Sequence, residues 1–379
     1  MQLGYNLGLG SFSGGYQAEI FEDADCISDM LRAIDGAESE ILLCTYIFSG
    51  KIAEDFIDAL ERAKKRGASV YLLIDTVGSR AWPASQIERH LERSGVNYAK
   101  FSINSKLFSV VPSLNVRSHT KILCVDGKIA FVGSMNIRDE VIEDSCAAKD
   151  YVRNMNVKIT GKVAQDIGAF FCHLWHATAK EAIDRHQYLE DPNKNDTSEQ
   201  RFCRATFRGA YRYYNGILYA VIFALHQAKK RVVIWTPYFF PPRPVRDALL
   251  VTAMRGVKVE LLIPAKTNHY YVNVSMSADF EKYLARGIEI FLSPEPFDHS
   301  KVMIIDDDWC MIGSANFDNR SFYVNFEFNL EFIDKDFVNR MNKLLLGRKK
   351  AAKKLDQGFR LPILRQIYAN FIKLLSPQL

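Results

Sequence analysis

Residues Ile41–Asp75 read ILLCTYIFSGKIAEDFIDALERAKKRGASVYLLID. The opening run, Ile41–Phe48, is apolar and rich in β-branched residues, as a buried strand requires. The middle places Ile52, Phe56, Ala59, Leu60 and Ala63 at helical spacing, and SVYLLID returns to a strand pattern. Strand, helix, strand in succession implies an α/β fold, a sheet covered by helices. The same text recurs about 190 residues later, where VVIWTPYF at Val232–Phe239 matches ILLCTYIF and RGVKVELLIP at Arg255 matches RGASVYLLID at Arg66. At ~150 residues per domain the 379-residue chain has room for two such units. The polar stretch EDPNKNDTSEQR, Glu190–Arg201, is the expected linker between a first domain at 16–189 and a second at 202–347.

Each half carries the same chemical string. HTKILCVDGKIAFVGSMN runs from His119 to Asn136, and HSKVMIIDDDWCMIGSAN from His299 to Asn316. Histidine, a lysine two residues on, an aspartate five beyond it and then GSxN recur with unchanged spacing. Residues two apart on a strand share a face, so His119 points with Lys121 and His299 with Lys301. A nucleophile or acid then sits beside a cation. Asp126-Gly127 is also a hairpin turn signal, so Asp126, and with it Asp306, has two readings: turn geometry or an electrostatic role in the site. Gly133-Ser134 and Gly313-Ser314 follow a second apolar strand, where backbone can approach an anion and hydroxyl and amide groups can donate to it. Two such half-sites facing each other would bracket a phosphate.

This doubled HxKxxxxD with trailing GSxN resembles the signature of the phospholipase D superfamily. The likeness extends over almost the whole chain, including TYIFSG near Thr45, GSANFDNRS from Gly313 and NFEFNL from Asn325. In those stretches it is most similar to bacterial cardiolipin synthases, particularly the branch without N-terminal membrane spans. The resemblance implies two α/β/α sandwich domains related by a pseudo-twofold axis, with the active site at their interface. It implies one histidine as nucleophile and the other as general acid/base, here His119 and His299 respectively. Lys121, Lys301, Asn136 and Asn316 would hold the phosphoryl oxygens, supported by Ser134 and Ser314, and Asp126 and Asp306 complete the motifs. An acidic residue is expected behind each histidine: Glu327 fits that place in the second half and Asp150, opening YVRNMNVKI, in the first. Asp298 precedes the second histidine and is expected to raise its pKa.

The resemblance implies a phosphatidyltransferase that takes phosphatidylglycerol as donor, with a hydrolytic phospholipase D as the alternative and a phosphodiesterase nuclease of the same superfamily as a further one. No cofactor or metal is called for, because lysines and histidines supply positive charge. The formal net charge is +5, yet Arg348–Leu379 holds eight basic residues against Asp356 alone, which leaves the preceding chain slightly acidic. That distribution argues against a nucleic-acid-binding face and suits an anionic membrane surface. Leu364, Ile367, Phe371, Leu374 and Leu375 gather on one side of Ile363–Leu375, so residues 348–379 read as a basic amphipathic element lying on a membrane. No apolar run approaches the ~18 residues of a spanning helix. Seven cysteines without a CxxC pair, and no signal-peptide pattern, point to a reducing interior and hence to a peripheral enzyme on the cytoplasmic side of the cell membrane. Cys124 and Cys310 read as buried small residues. Cys172, His173 and His176 have weak zinc potential and read as a helix face, and Tyr211, Tyr213, Tyr214 and Tyr219 read as helix core rather than a binding platform.

Overall fold

The computed structural model describes residues 9–81, 84–101, 116–147, 150–183, 201–209, 215–267 and 270–374. Glu190–Gln200 of the expected linker, and Tyr211, Tyr213, Tyr214 and Leu375, lie outside them.

The first half supplies β1 (Ala18–Glu22), β2 (Glu40–Thr45), β3 (Ser69–Asp75), β4 (Asn97–Phe101), β5 (Ile122–Val125), β6 (Ile129–Gly133), the short β7 (Val152–Arg153) and β8 (Met155–Thr160). Its seven-stranded sheet has the order β1-β8-β6-β5-β2-β3-β4. The second half supplies β9 (Phe202–Arg208), β10 (Arg231–Trp235), β11 (Phe239–Phe240), β12 (Lys258–Pro264), β13 (Glu289–Ser293), β14 (Phe297–Asp298), β15 (Val302–Ile305), β16 (Trp309–Gly313), β17 (Phe317–Asp318), β18 (Glu327–Ile333) and β19 (Lys353–Lys354). Its eight-stranded sheet runs β19-β13-β12-β10-β15-β16-β18-β9. Apart from β19 the two orders are the same. Each sheet has three parallel strands joined by helical crossovers, β2-β3-β4 and β10-β12-β13, continued by an antiparallel hairpin that carries the motif, β5-β6 and β15-β16.

Strand periodicity divides the cores. In β2, Leu42 and Cys44 face a central core that joins the two sheets, and Ile41 and Leu43 face the outer helices. The central core also takes the helices Lys162–Ala179 and Lys335–Lys349, so the two halves share one buried interior. The expected helix spans Gly50–Lys65 and buries Ile52, Phe56, Ala59, Leu60 and Ala63 against β2 and β3. Its Asp139 neighbour, from beyond the first motif, accepts hydrogen bonds from the Lys51 and Ile52 amides at 3.0 Å each, satisfying first-turn donors that lack an intrahelical partner. Gly50 has φ +84°, and a Cβ there would meet the Asp139 carboxylate at 2.4 Å, so a side chain is excluded on both counts.

The basic C-terminal segment is only partly a free appendage. Arg348 and Lys349 are the end of the helix Lys335–Lys349, and Lys353–Lys354 form β19 against β13. Lys349 pairs with Glu260, Lys354 with Glu289 and Arg360 with Glu281. Much of the local positive charge is therefore answered by acids of the second half, and the fold runs past residue 347. The terminal helix, Ile363–Leu374, is amphipathic as expected: Ala369 and Ile372 are buried, while Ile363, Leu364, Ile367, Tyr368 and Phe371 are exposed. Among the described residues no helix is long and apolar enough to cross a membrane.

Candidate active site

Both histidines end up between the halves because each is stitched to the strand of the other. The His119 amide donates to the Phe326 carbonyl at 3.0 Å, and the His299 amide donates to the Arg153 carbonyl at 2.8 Å, next to the parallel pairing of β14 with β7. The imidazoles meet edge to face, with centroids 6.3 Å apart and planes at 89°. Each histidine is buried, with 9% of the residue exposed.

The Nδ1 atoms are held differently. His119 Nδ1 lies 3.0 and 3.1 Å from the two carboxylate oxygens of Glu327, a fully buried residue that also accepts from the hydroxyls of Ser314 and Ser321. Glu327 thus reaches the histidine of the opposite half. His299 Nδ1 faces the Ser134 carbonyl at 3.1 Å. Asp150, the acid expected in the first half, is exposed in a turn, and the Nδ1 partners of the two rings are Glu327 and the Ser134 carbonyl instead. Asp298 does not serve His299 either: its carboxylate is taken by the Arg348 guanidinium at 2.8 Å and the Ser300 amide at 2.9 Å. Contrary to expectation, His299 is held well below the ordinary histidine pKa, by burial first and then by Lys301 and Lys121. His119 is shifted the same way for the same reasons.

Lys121 and Lys301 stand immediately before β5 and β15, two residues after their histidines, and each Nζ donates to the carbonyl of its own histidine at 2.6 Å. Burial pulls Lys121 down to about 7 and Lys301 well below its ordinary value. Burial also pushes Glu327 up to about 7, against the pull of Lys121. Two amines and two imidazoles thus converge with Glu327 as the carboxylate among them. Such a site favours an anion, whose charge would restore the ammonium and imidazolium forms. The Asn136 carbonyl oxygen accepts from the Ile47 amide at 3.1 Å, which leaves its NH2 as donor; the buried Asn316 Oδ1 has no protein partner. Tyr46 packs its ring 5.1 Å from His119 and 5.4 Å from Lys121 Nζ.

Other motif residues stand behind these. Ser134 and Ser314 spend their hydroxyls on the neighbouring strands, Ser134 donating to Asn154 Oδ1 and Ser314 to Glu327. Gly133 and Gly313 admit not an anion but the next strand, since a Cβ would lie 2.1 Å from Asn156 Oδ1 and 2.3 Å from Asn329 Oδ1. Asp126 and Asp306 are remote from the histidines, at the far ends of β5 and β15, with φ +53° and +52°. Asp126 accepts from the Glu38, Ser39 and Glu40 amides and the Ser39 hydroxyl, and Asp306 from the Lys229, Lys230 and Arg231 amides. Both clamp the motif hairpin to the start of the adjacent parallel strand. Turn geometry is the reading the structure supports. His173 and His176 are exposed on the helix Lys162–Ala179, and no metal-ligating cluster among the described residues contains them. Cys124 and Cys310 are buried.

Sequence reasoning missed Asn154, Arg348, Tyr46 and Asp75, whose carboxylate accepts from the Ser118 amide at 3.0 Å beside His119. Asn154 was legible in principle. Aligning NVKI at Asn156 with NLEF at Asn329 places Asn154 opposite Glu327, but a longer loop after Asn136 hides this from counting.

A family model described as "Cardiolipin synthase, PLD-like domain" matches residues 30–175 and 221–347. The cardiolipin synthase of Clostridium perfringens strain SM101 is 28% identical over 387 aligned residues, covering 100% of this chain and 80% of that protein. A probable cardiolipin synthase of Bacillus subtilis strain 168, YwiE, is 31% identical over 318 residues, 83% of this chain and 62% of that one. The crystal structure of a phosphatidylserine synthase from Haemophilus influenzae superposes with a TM-score of 0.76 at 15% identity, covering 100% of this chain and 98% of the other. That likeness shows a shared fold over the whole chain.

Proposed function

Because the chain belongs to the cardiolipin synthase, phospholipase D-like domain family of enzymes, we propose that it transfers a phosphatidyl group from phosphatidylglycerol to the head-group hydroxyl of a second phospholipid. The observation that carries this reading is the pair of imidazoles 6.3 Å apart, each with Nδ1 held by an acceptor and therefore with Nε2 as the nitrogen available for chemistry.

His119 Nε2 attacks the phosphodiester phosphorus, forming a P–N bond as the P–O bond to glycerol breaks. His299 donates its Nε2 proton to the departing glycerol oxygen. Glu327 balances the positive charge on the phosphorylated imidazole, and the lysines and Asn136 hold the phosphoryl oxygens. In the second step His299 takes the proton of the acceptor hydroxyl, whose oxygen attacks phosphorus as the P–N bond breaks. Charge stabilisation comes from protein cations, and the site requires no metal.

The enzyme works as a peripheral protein at the cytoplasmic membrane surface. Support comes from the exposed apolar face of the helix Ile363–Leu374, whose opposite face is seated against Val274 and Ala278, and from seven cysteines that form no disulfide with one another. The test is incubation with phosphatidylglycerol vesicles and identification of lipid products by mass. A diphosphatidyl product with free glycerol supports transfer, and phosphatidic acid as the sole product overturns it in favour of hydrolysis.

A further inference from the structure

The hydrogen-bonded frame around the motif glycine and serine is the same in the two half-sites up to one position. Gly133 pairs with Asn156 and Gly313 with Asn329, and these asparagines accept from the Met135 and Ala315 amides respectively. Ser134 Oγ accepts from the Met155 amide at 3.1 Å and Ser314 Oγ from the Phe328 amide at 3.0 Å. The backbone acceptors for His299 and His119 are Arg153 and Phe326, each one residue before the position in question. That position is Glu327 in one half and Asn154 in the other. Each accepts the hydroxyl of its own motif serine, but Glu327 also engages a histidine, while Asn154, 1% exposed, turns its NH2 to the Val152 carbonyl at 2.8 Å.

We propose that Asn154 is a positioning residue that withholds a carboxylate from His299, making the two histidines unequal in basicity and thereby fixing which one carries the phosphoryl group. A phosphorylated imidazole is a cation for the life of the intermediate, so the ring backed by Glu327, His119, is the one that can sustain it. His299 needs the reverse property. It must release a proton to the departing alkoxide, and a ring whose Nδ1 faces a neutral carbonyl holds that proton less tightly.

The surroundings of His299 agree. On its own stretch stand Lys301 and Asp298, the latter committed to Arg348. Across the interface stand Lys121, His119 and, beyond His119, Glu327; Arg153 offers its backbone carbonyl, and its guanidinium pairs with Asp23 at 3.4 Å. The Phe297 ring covers one side at 6.0 Å. No uncommitted carboxylate among these faces the ring, and the nearby lysines oppose its protonation. A carboxylate at 154 would change that.

The inference rests on the transfer reading for its catalytic meaning, but its central measurement does not need turnover. In full-length protein with 15N-labelled histidines, His119 and His299 are assigned by loss of their signals in His119→Ala and His299→Ala, then titrated in the wild type, Asn154→Asp, Asn154→Ala and Glu327→Gln. Asn154→Asp is expected to raise the His299 midpoint by about 1–2 pH units while His119 stays in place. The limb of kcat against pH that reports the acid on phosphatidylglycerol vesicles should move up by the same amount. Asn154→Ala should give no upward shift, and Glu327→Gln should bring the His119 midpoint down toward that of His299. An unmoved His299 midpoint in folded Asn154→Asp overturns the proposal. If that variant does not fold, a gap between the two midpoints that persists in Glu327→Gln overturns it equally. Absence of wild-type activity on phosphatidylglycerol sinks the transfer reading alone and leaves the titrations to decide this one.

Discussion

Replacing Arg348 with alanine should destabilise the protein far more than loss of a tail cation would. The guanidinium side chain is 4% exposed, and it bonds Glu22 and Asp298 at 2.8 Å, the Ser300 hydroxyl at 2.9 Å, the Asn154 carbonyl at 3.0 Å and Asp23 at 3.4 Å. It therefore ties the helix Lys335–Lys349 to the end of β1 and to the residue before His299. Removing it leaves Asp298, itself 4% exposed, charged and without its cation. Breaking a buried pair from one side costs about 3–5 kcal/mol. An unfolding entropy near 2.1 cal/mol/K per residue amounts to ~0.8 kcal/mol/K for a chain of this length, so Tm should fall by about 4–6 °C if the two halves unfold together. Thermal melts followed by circular dichroism measure this. Arg348→Met with Asp298→Asn should recover part of the loss, because the stranded charge is removed with the guanidinium. A melt of Arg348→Ala within 1 °C of wild type would refute the claim that this residue is a buried clamp, and would return the segment from 348 onward to the status of a solvated tail.

His119→Ala and His299→Ala should each lose at least ~100-fold in kcat with native melts, and the double variant should be little worse than either; substantial steady turnover in one single variant would contradict the paired mechanism. Asp126→Asn should keep kcat near wild type and lower stability. Burial works to raise the Asp126 pKa, but the Glu38, Glu40 and Ser39 donors outweigh it and hold the carboxyl below its ordinary value. Its stabilisation is thus complete above the unfolded carboxylate pKa and is lost as pH falls through the folded one, so acid titration of Tm should be shallower in Asp126→Asn; an equal slope would argue against the clamp. Truncation before Pro362 removes the exposed apolar helix while keeping β19, and should release the protein from phosphatidylglycerol vesicles in sedimentation while sparing turnover of a short-chain soluble analogue. Undiminished co-sedimentation across a salt series would place the membrane contact elsewhere. Activity should survive extensive chelation, and loss with EDTA followed by recovery with zinc or magnesium would contradict a site built on lysines and histidines.

What sequence alone determines here is local and periodic. Apolar runs and helical spacing locate β2, the helix Gly50–Lys65 and β3, and their repetition announces two like halves. The repeated motif brings a histidine and a lysine to the entry of β5 and of β15, and Asp126-Gly127 marks a turn in which both residues take positive φ. Tertiary structure alone decided what crosses between halves. Glu327 serves His119, more than 200 residues away, because the Phe326 carbonyl receives the His119 amide when the sheets dock, and no spacing within one half encodes that. Arg348 looks like one cation in a basic run, yet three separate segments, at Glu22, Asn154 and Asp298–Ser300, close over it and make it a clamp. Asp150 and Asp298 have the right chemistry next to the right strands, but the first points to solvent and the second to Arg348. Spacing along a strand determines which side chains share a face. Which partner that face meets is determined by how two faces pack, and here the packing left one histidine with a carboxylate and the other with a carbonyl.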